Sequence, residues 1–245
     1  MKLNQPKEST IMKELSASAP LEHRFHLSER LNIIRAGVLG ANDGIISVAG
    51  IVVGVASAHQ SQYTIFLAGI SGMLAGAFSM GGGEYVSVST QRDTQKSMMR
   101  LQKEAIQNEY AAEVASLQRT YESKGLPTPL AHQVASAFMQ KDSLDITLRE
   151  KYNIELHHYF NPWHAAFSSF FSFMLGSLLP IIAILAIPYP YKVSGTIGSI
   201  VLALIATGYT SATLGKANRL KGVLRNVLTG VLTMVVTYLI GGSIG

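Results

Sequence analysis

The sequence predicts an all-α integral membrane protein, with five transmembrane helices and a small cytoplasmic helical insert between the second and third. Three observations predict it. Charged residues make up 14% of the 245 residues and hydrophobic ones 48%, against about 25% charged in an average soluble domain. Five apolar stretches reach the roughly 20 residues that a helix needs to cross a bilayer core. The basic residues gather in the connections that five crossings place on one side.

Taken in order, residues 1–30 read as a polar cytoplasmic arm without the apolar core of a cleaved secretory signal. Residues 31–90 hold the first two spans, Leu31 to Ala58 and Tyr63 to Val88. Residues 91–160 form the insert, and residues 161–245 hold the last three spans, Ala165 to Ile187, Val193 to Leu214 and Val223 to Ile244. Each span is too long for a buried strand, and none is interrupted by a run of charges.

The connections set the orientation. "HQSQ" and the carboxyl terminus carry no Lys or Arg, and "PYPYK" carries only Lys192. The other nineteen of the 20 basic residues lie in the amino-terminal arm and its edge at Arg35, in the insert, and in "GKANRLKGVLR". By the positive-inside rule the amino terminus is cytoplasmic. The net charge of +5 therefore orients the chain and meets anionic lipid, and it argues against a nucleic-acid partner. The absence of cysteine excludes disulfides, thiolate zinc sites and cysteine nucleophiles.

The insert begins with good helix formers. Leu101, Ile106, Tyr110, Val114, Leu117 and Tyr121 recur at helical spacing in one helix, which Gly125 and Pro127 end. Thr128 reads as an N-cap ahead of Pro129, a second helix runs to Gln140, and a third runs from Ser143 to Tyr152.

Asp43 sits near the middle of the first span, in "RAGVLGANDGIISVAGIVVGVASA". A carboxylate there costs several kcal/mol unless hydrated, paired or protonated, so an ionisable residue in a span is a functional candidate. A structural acid bonded to a neighbouring helix is the plainer reading. The glycine pairs Gly40/Gly44 and Gly50/Gly54 suit close helix packing. In the second span Gly72, Gly76, Met80 and Glu84 are spaced by four and share a helix stripe. Along it, the second helix would bring Met80 and Glu84 near a cavity containing Asp43. Acid and thioether together suit Fe2+ or a neighbouring transition metal better than Mg2+. Spacing alone leaves Met80 as packing and Glu84 open between a ligand and a hydrated helix-end acid. Gly81, Gly82 and Gly83 predict a bend or unwinding that lines a pore.

"RAGVLGANDGIISVAGIVVGVASA" and "AGAFSMGGGEYVSVSTQRD" resemble the paired signature of the vacuolar iron transporter family, as do "EHRFH" and "FNPWHAAFSSFFSFMLGSLLP". The resemblance implies a homodimer that carries Fe2+, and often Mn2+, out of the cytosol in exchange for protons. It implies a path between subunits, matched here by Asn42, Asp43, Gly44, Met80, Gly83 and Glu84, and no cofactor beyond the transported metal. In the insert it implies a metal site, for which Glu113 and Glu109, on one helix face, are the candidate ligands. Ser116, Gln102 and Ala105 stand where acids are expected, and "DITLREKY" offers no methionine, so that site is depleted. By spacing alone, Glu104, Glu109, Glu122, Glu150 and Glu155 are ordinary solvated surface. The glycine-rich motif, without a plant-type tail, favours a bacterial plasma membrane over a vacuole-like one.

The expected mechanism uses Asp43 twice: ionised, it holds the cation; once the cation leaves, a proton from the far side neutralises it. A transporter of a different cation, or a non-transporting scaffold or sensor, are the alternatives. An enzyme is not expected. His157, His158, His164 and Glu155 cluster without an H-E-x-x-H spacing, and no phosphate-binding G-x-x-x-x-G-K-[ST] loop occurs.

Overall fold

The computed structural model describes residues 21–154, 156 and 161–245, with side chains from residue 30 onward. Among the described residues seven helices follow one another: α1 (Leu21–Ser57), α2 (Gln62–Asn108), α3 (Tyr110–Ser123), α4 (Thr128–Tyr152), α5 (Pro162–Ala186), α6 (Lys192–Leu214) and α7 (Arg219–Ile244). Among the described residues there is no strand. The five helices α1, α2, α5, α6 and α7 are long and apolar enough to cross a membrane. The shortest, α6, has 23 residues and spans about 35 Å at the α-helical rise, against a hydrocarbon core of about 30 Å. The helix of the first span begins at Leu21, ahead of the expected Leu31.

Short polar turns join the spans. His59 takes a left-handed φ of 54° after α1, and the Ser61 hydroxyl accepts the Thr64 N–H at 3.1 Å to start α2. Lys216, with φ 49°, ends α6. Asn218 then caps α7, its side-chain oxygen accepting the Lys221 N–H at 3.1 Å. This up-and-down order puts the starts of α1, α5 and α7 at one end with the end of α6. Arg30, Arg35, Lys216, Arg219, Lys221 and Arg225 lie toward that end, and Lys192 starts α6 at the other.

α1 is the hub of this unit. Gly40 and Gly44 let the backbone of α5 approach at Ser169 and Phe173, as small residues do between membrane helices. Farther along, Gly50 and Gly54 receive Thr233 and Thr237 of α7. Two apolar clusters flank α1. One joins Val48 and Val52 to Ile65, Met73 and Ala77 of α2 and to Phe173 and Ile181 of α5. The other joins Ile45, Ile46, Ala49 and Val53 to Ile200 and Leu204 of α6 and Met234 of α7.

Residues 86–161 form a second compact unit. Its core is Leu117 and Tyr121 of α3 against Ala131, Ala135 and Met139 of α4, with a Lys124–Glu150 ion pair beside it. Parts of this unit differ from what the sequence predicts. The expected single helix breaks at Glu109, whose φ of −136° and ψ of 46° are not helical. Leu101 and Tyr110 are exposed. Pro127, not Thr128, is the cap position of α4. The second and third insert helices are one element, α4, kinked at Asp142, whose carboxylate accepts the Asp145 N–H at 3.1 Å. Gly125 does follow the end of α3, with a φ of +98° that favours glycine. Glu155, His157 and His158 lie outside the described residues, as do the side chains of "EHRFH".

Candidate functional site

Asp43 is half-buried on α1. The Ser47 hydroxyl, one turn along, donates to its Oδ1 at 3.1 Å. Among the described residues no basic side chain pairs with it. Its two chain neighbours are committed elsewhere. The Asn42 side-chain oxygen accepts from Asn226 Nδ2 of α7 at 2.9 Å and from the Thr207 hydroxyl of α6 at 3.4 Å. Gly44 is buried against Phe173 and Ser177 of α5. Successive helix residues point about 100° apart, so these two anchors fix the direction of the carboxylate between them. Ser47, Gly50 and Gly54 continue the same strip of α1. The strip ends in an apolar groove of about 370 Å³, lined in part by Gly50, Gly54, Thr237 and Ile240.

On α2 the expected stripe meets two neighbours rather than one. Gly72 faces Ile51 of α1, and Gly76 faces the Phe173 ring of α5. Met80 packs against the apolar cluster around Phe173. Glu84 returns to α1, its Oε1 accepting from Arg35 Nη2 at 3.0 Å. The same guanidinium nitrogen donates to Asn32 at 2.9 Å. With 60% of the Arg35 side chain exposed, such a pair contributes about 1 kcal/mol or less. Gly82 and Gly83 are exposed and face open space. The expected unwinding at residues 81–83 does not occur, because α2 is helical throughout. Lipid offers no alternative hydrogen-bond partner to a freed backbone, which outweighs the roughly 1 kcal/mol that each glycine costs a helix.

A second cavity, of about 540 Å³, lies among α1, α6 and α7, with Asn42 and Asn226 on its wall. Asp43, Met80 and Glu84 line neither cavity. No group of three or more His, Asp or Glu side chains among the described residues is placed to hold a metal ion. Arg35 as the partner of Glu84, and Asn226 and Thr207 as partners of Asn42, are not among the sequence expectations. A basic residue and an acid at the same ends of adjacent antiparallel spans was the available signal for the first. A lone asparagine inside the fifth span was the signal for the second.

In the insert, Glu113 is already neutralised. Lys151 Nζ and Gln102 Nε2 both donate to its Oε2, at 2.5 and 2.6 Å. Gln102, at a position expected to be acidic, is buried. Glu109 is exposed at the break between α2 and α3 and shares no helix with Glu113.

Residues 34–242 match the family model described as the VIT family. A protein named "Vacuolar iron transporter" from Acanthamoeba castellanii is 34% identical over 78% of this chain and 71% of its own length. "Vacuolar iron transporter homolog 3" of Arabidopsis thaliana is 30% identical over 83% of this chain and 79% of its own. "Vacuolar iron transporter homolog 5" of Oryza sativa is 27% identical over 88% and 83%. With five apolar helices, the Asp43 segment in the first and the Met80–Glu84 segment in the second, this chain belongs to the VIT family.

Proposed function

We propose that the protein exports a divalent transition metal, Fe2+ and also Mn2+, from the cytosol in exchange for protons. The path runs between two copies of the chain, with the basic ends of the helices on the cytosolic side. The observation that carries this reading is Asp43: a carboxylate in the middle of an apolar span, held among the described residues by one hydroxyl and by no cation. Such a group is costly in a membrane and gains most when a travelling cation or a proton neutralises it. Metal and proton compete for the same oxygens, so the departure of one favours the arrival of the other. The relatives named as vacuolar iron transporters support iron as the cargo.

The other residues take supporting roles. Asn42 and Gly44 set the direction of Asp43 rather than touch the ion. Glu84 receives the cation at the basic end, where the ion must displace Arg35. Open space at Gly83 leaves room for that approach. The Met80 thioether, packed beside Phe173, meets the ion only when α2 shifts. One subunit brings a single acid to the middle of the path, and a second copy of α1 doubles the charge. The insert is a structural unit, since Lys151 already supplies the positive charge at Glu113.

The test is flux into proteoliposomes with Fe2+, Mn2+, Co2+ and Zn2+, each with and without a proton gradient. Gradient-driven Fe2+ uptake that is lost in Asp43→Asn, with the dimer intact, is the expected result. Flux indifferent to the gradient overturns proton exchange, and full flux in Asp43→Asn overturns the role of the acid.

A further inference from the structure

The cavity among α1, α6 and α7 is built differently from a cation route. Among the described residues it is lined by two arginines, Arg35 and Arg225, and by no acid. The side-chain amides in its lining, Asn42 and Asn226, bond to each other at 2.9 Å, so they offer a ligand little. Arg35 already gives Nη2 to Glu84 and Asn32 and Nε to Asn32, which leaves Nη1 for a ligand. Arg225 has no carboxylate partner among the described residues and is exposed. The adjoining turn and helix start add Lys216, Arg219 and Lys221. A divalent cation is repelled here and an anion is drawn in.

The rest of the lining is apolar and open. Ile34, Leu39 and Leu214 are 41%, 48% and 52% exposed, in helices long enough to span a bilayer, and Val38 lies among them. The two arginines and this apolar wall share one cavity of about 540 Å³, within the roughly 300–1,000 Å³ range of ligand sites. A free inorganic anion would satisfy the guanidiniums and leave the wall bare. A hydrocarbon chain alone would satisfy the wall and leave two cations unmatched. A molecule with a phosphate at one end and an acyl chain at the other satisfies both. Basic pockets between membrane helices at the cytoplasmic side recognise anionic lipid head groups in this way.

We propose that this cleft is a binding site for one anionic phospholipid per chain. Arg225, assisted by Arg35, holds the phosphate in charge-assisted hydrogen bonds, and one acyl chain lies along Ile34, Val38, Leu39 and Leu214. A zwitterionic lipid fits less well because its ammonium group meets the same arginines. The proposal rests chiefly on Arg225, which the transport reading does not use; only Arg35, the partner of Glu84, is shared between them.

The experiment uses the full chain purified in a neutral detergent. Phosphatidylglycerol, phosphatidylcholine or inorganic phosphate is added, and binding is read by native mass spectrometry and by the thermal unfolding midpoint. One phosphatidylglycerol retained per chain, with a raised midpoint and no such effect of the other two additives, is the expected result. Arg225→Gln is expected to weaken that binding at least about tenfold. Arg225→Lys keeps part of it, and Lys221→Gln, outside the cavity lining, keeps nearly all. Equal retention of phosphatidylcholine, an equal midpoint shift from inorganic phosphate, or unaltered binding by Arg225→Gln would each overturn the proposal. An equal loss in Lys221→Gln would also overturn it, because it would mark a diffuse basic surface. If Arg225→Gln fails to fold, the comparison of Arg225→Lys with the parent chain decides: retention equal to the parent overturns the role of the guanidinium.

Discussion

Asp43→Asn keeps the size of the side chain and an oxygen for Ser47, and removes only the charge. Metal flux is therefore expected to fall at least about tenfold, the scale of losing one partner of a poorly hydrated charge pair. The size of the assembly on gel filtration should not change. Ser47→Ala removes a single hydroxyl bond, about 1 kcal/mol, and should reduce flux only a few-fold. The glycines separate just as sharply. A Cβ at Gly44 would meet the Phe173 carbonyl, which is backbone and cannot turn aside. Gly44→Val should lower the melting temperature in detergent, by an overpacking cost of about 1–3 kcal/mol. Gly82 has nothing within 4 Å, and Gly82→Ala should be neutral or raise the melting temperature slightly, since alanine favours the helix.

Between elements, the Arg35–Glu84 pair joins α1 to α2 with modest strength. Arg35→Gln frees the acid, and the metal concentration for half-maximal uptake should fall a few-fold, an effect that added salt should diminish. The α3–α4 pair depends on a less exposed contact: the Lys151 and Glu113 side chains are 13% and 15% exposed. Glu113→Gln leaves that ammonium uncompensated and should destabilise the insert by about 2 kcal/mol, somewhat under the fully buried case, as read by protection from protease. Metal binding by the purified chain should not change. Tyr121 adds a dependence on pH. Burial, reinforced by the Glu150 carboxylate, raises its hydroxyl above the usual 10.0. A raised value in the folded state means that its stabilising share is complete below the unfolded value and is lost as pH climbs through the folded one. Difference absorbance between the parent chain and Tyr121→Phe should show a tyrosine that ionises above the usual 10.0, and the variant's insert should resist proteolysis farther into alkali.

For the molecule as a whole, charge asymmetry predicts how the chain sits in its membrane. The chain has no cysteine, so single cysteines report cleanly: His59→Cys should react with an impermeant maleimide on intact cells, and Lys216→Cys only after permeabilisation. Reversed labelling would overturn the orientation. The spans were legible in the sequence because their signal is local: about 20 apolar residues say the same thing in any context. Helix ends at Ser57, Ala186 and Leu214 fall within a residue of the sequence expectation. The break at Glu109 and the Arg35–Glu84 and Asn42–Asn226 bonds were not legible, since they depend on which helices become neighbours and at what height. Gly81–Gly83 misled because intrinsic propensity describes a chain in water, whereas this segment is held by packing at Gly81 against Phe170 and Ala166. The anchoring of residues 42 and 44 to opposite sides has a mechanical consequence. α1 cannot roll about its own axis without tearing the Asn42 bonds or driving residue 44 into α5. The exchange proposed at Asp43 therefore asks α1, α5, α6 and α7 to tilt as one block rather than α1 to roll alone.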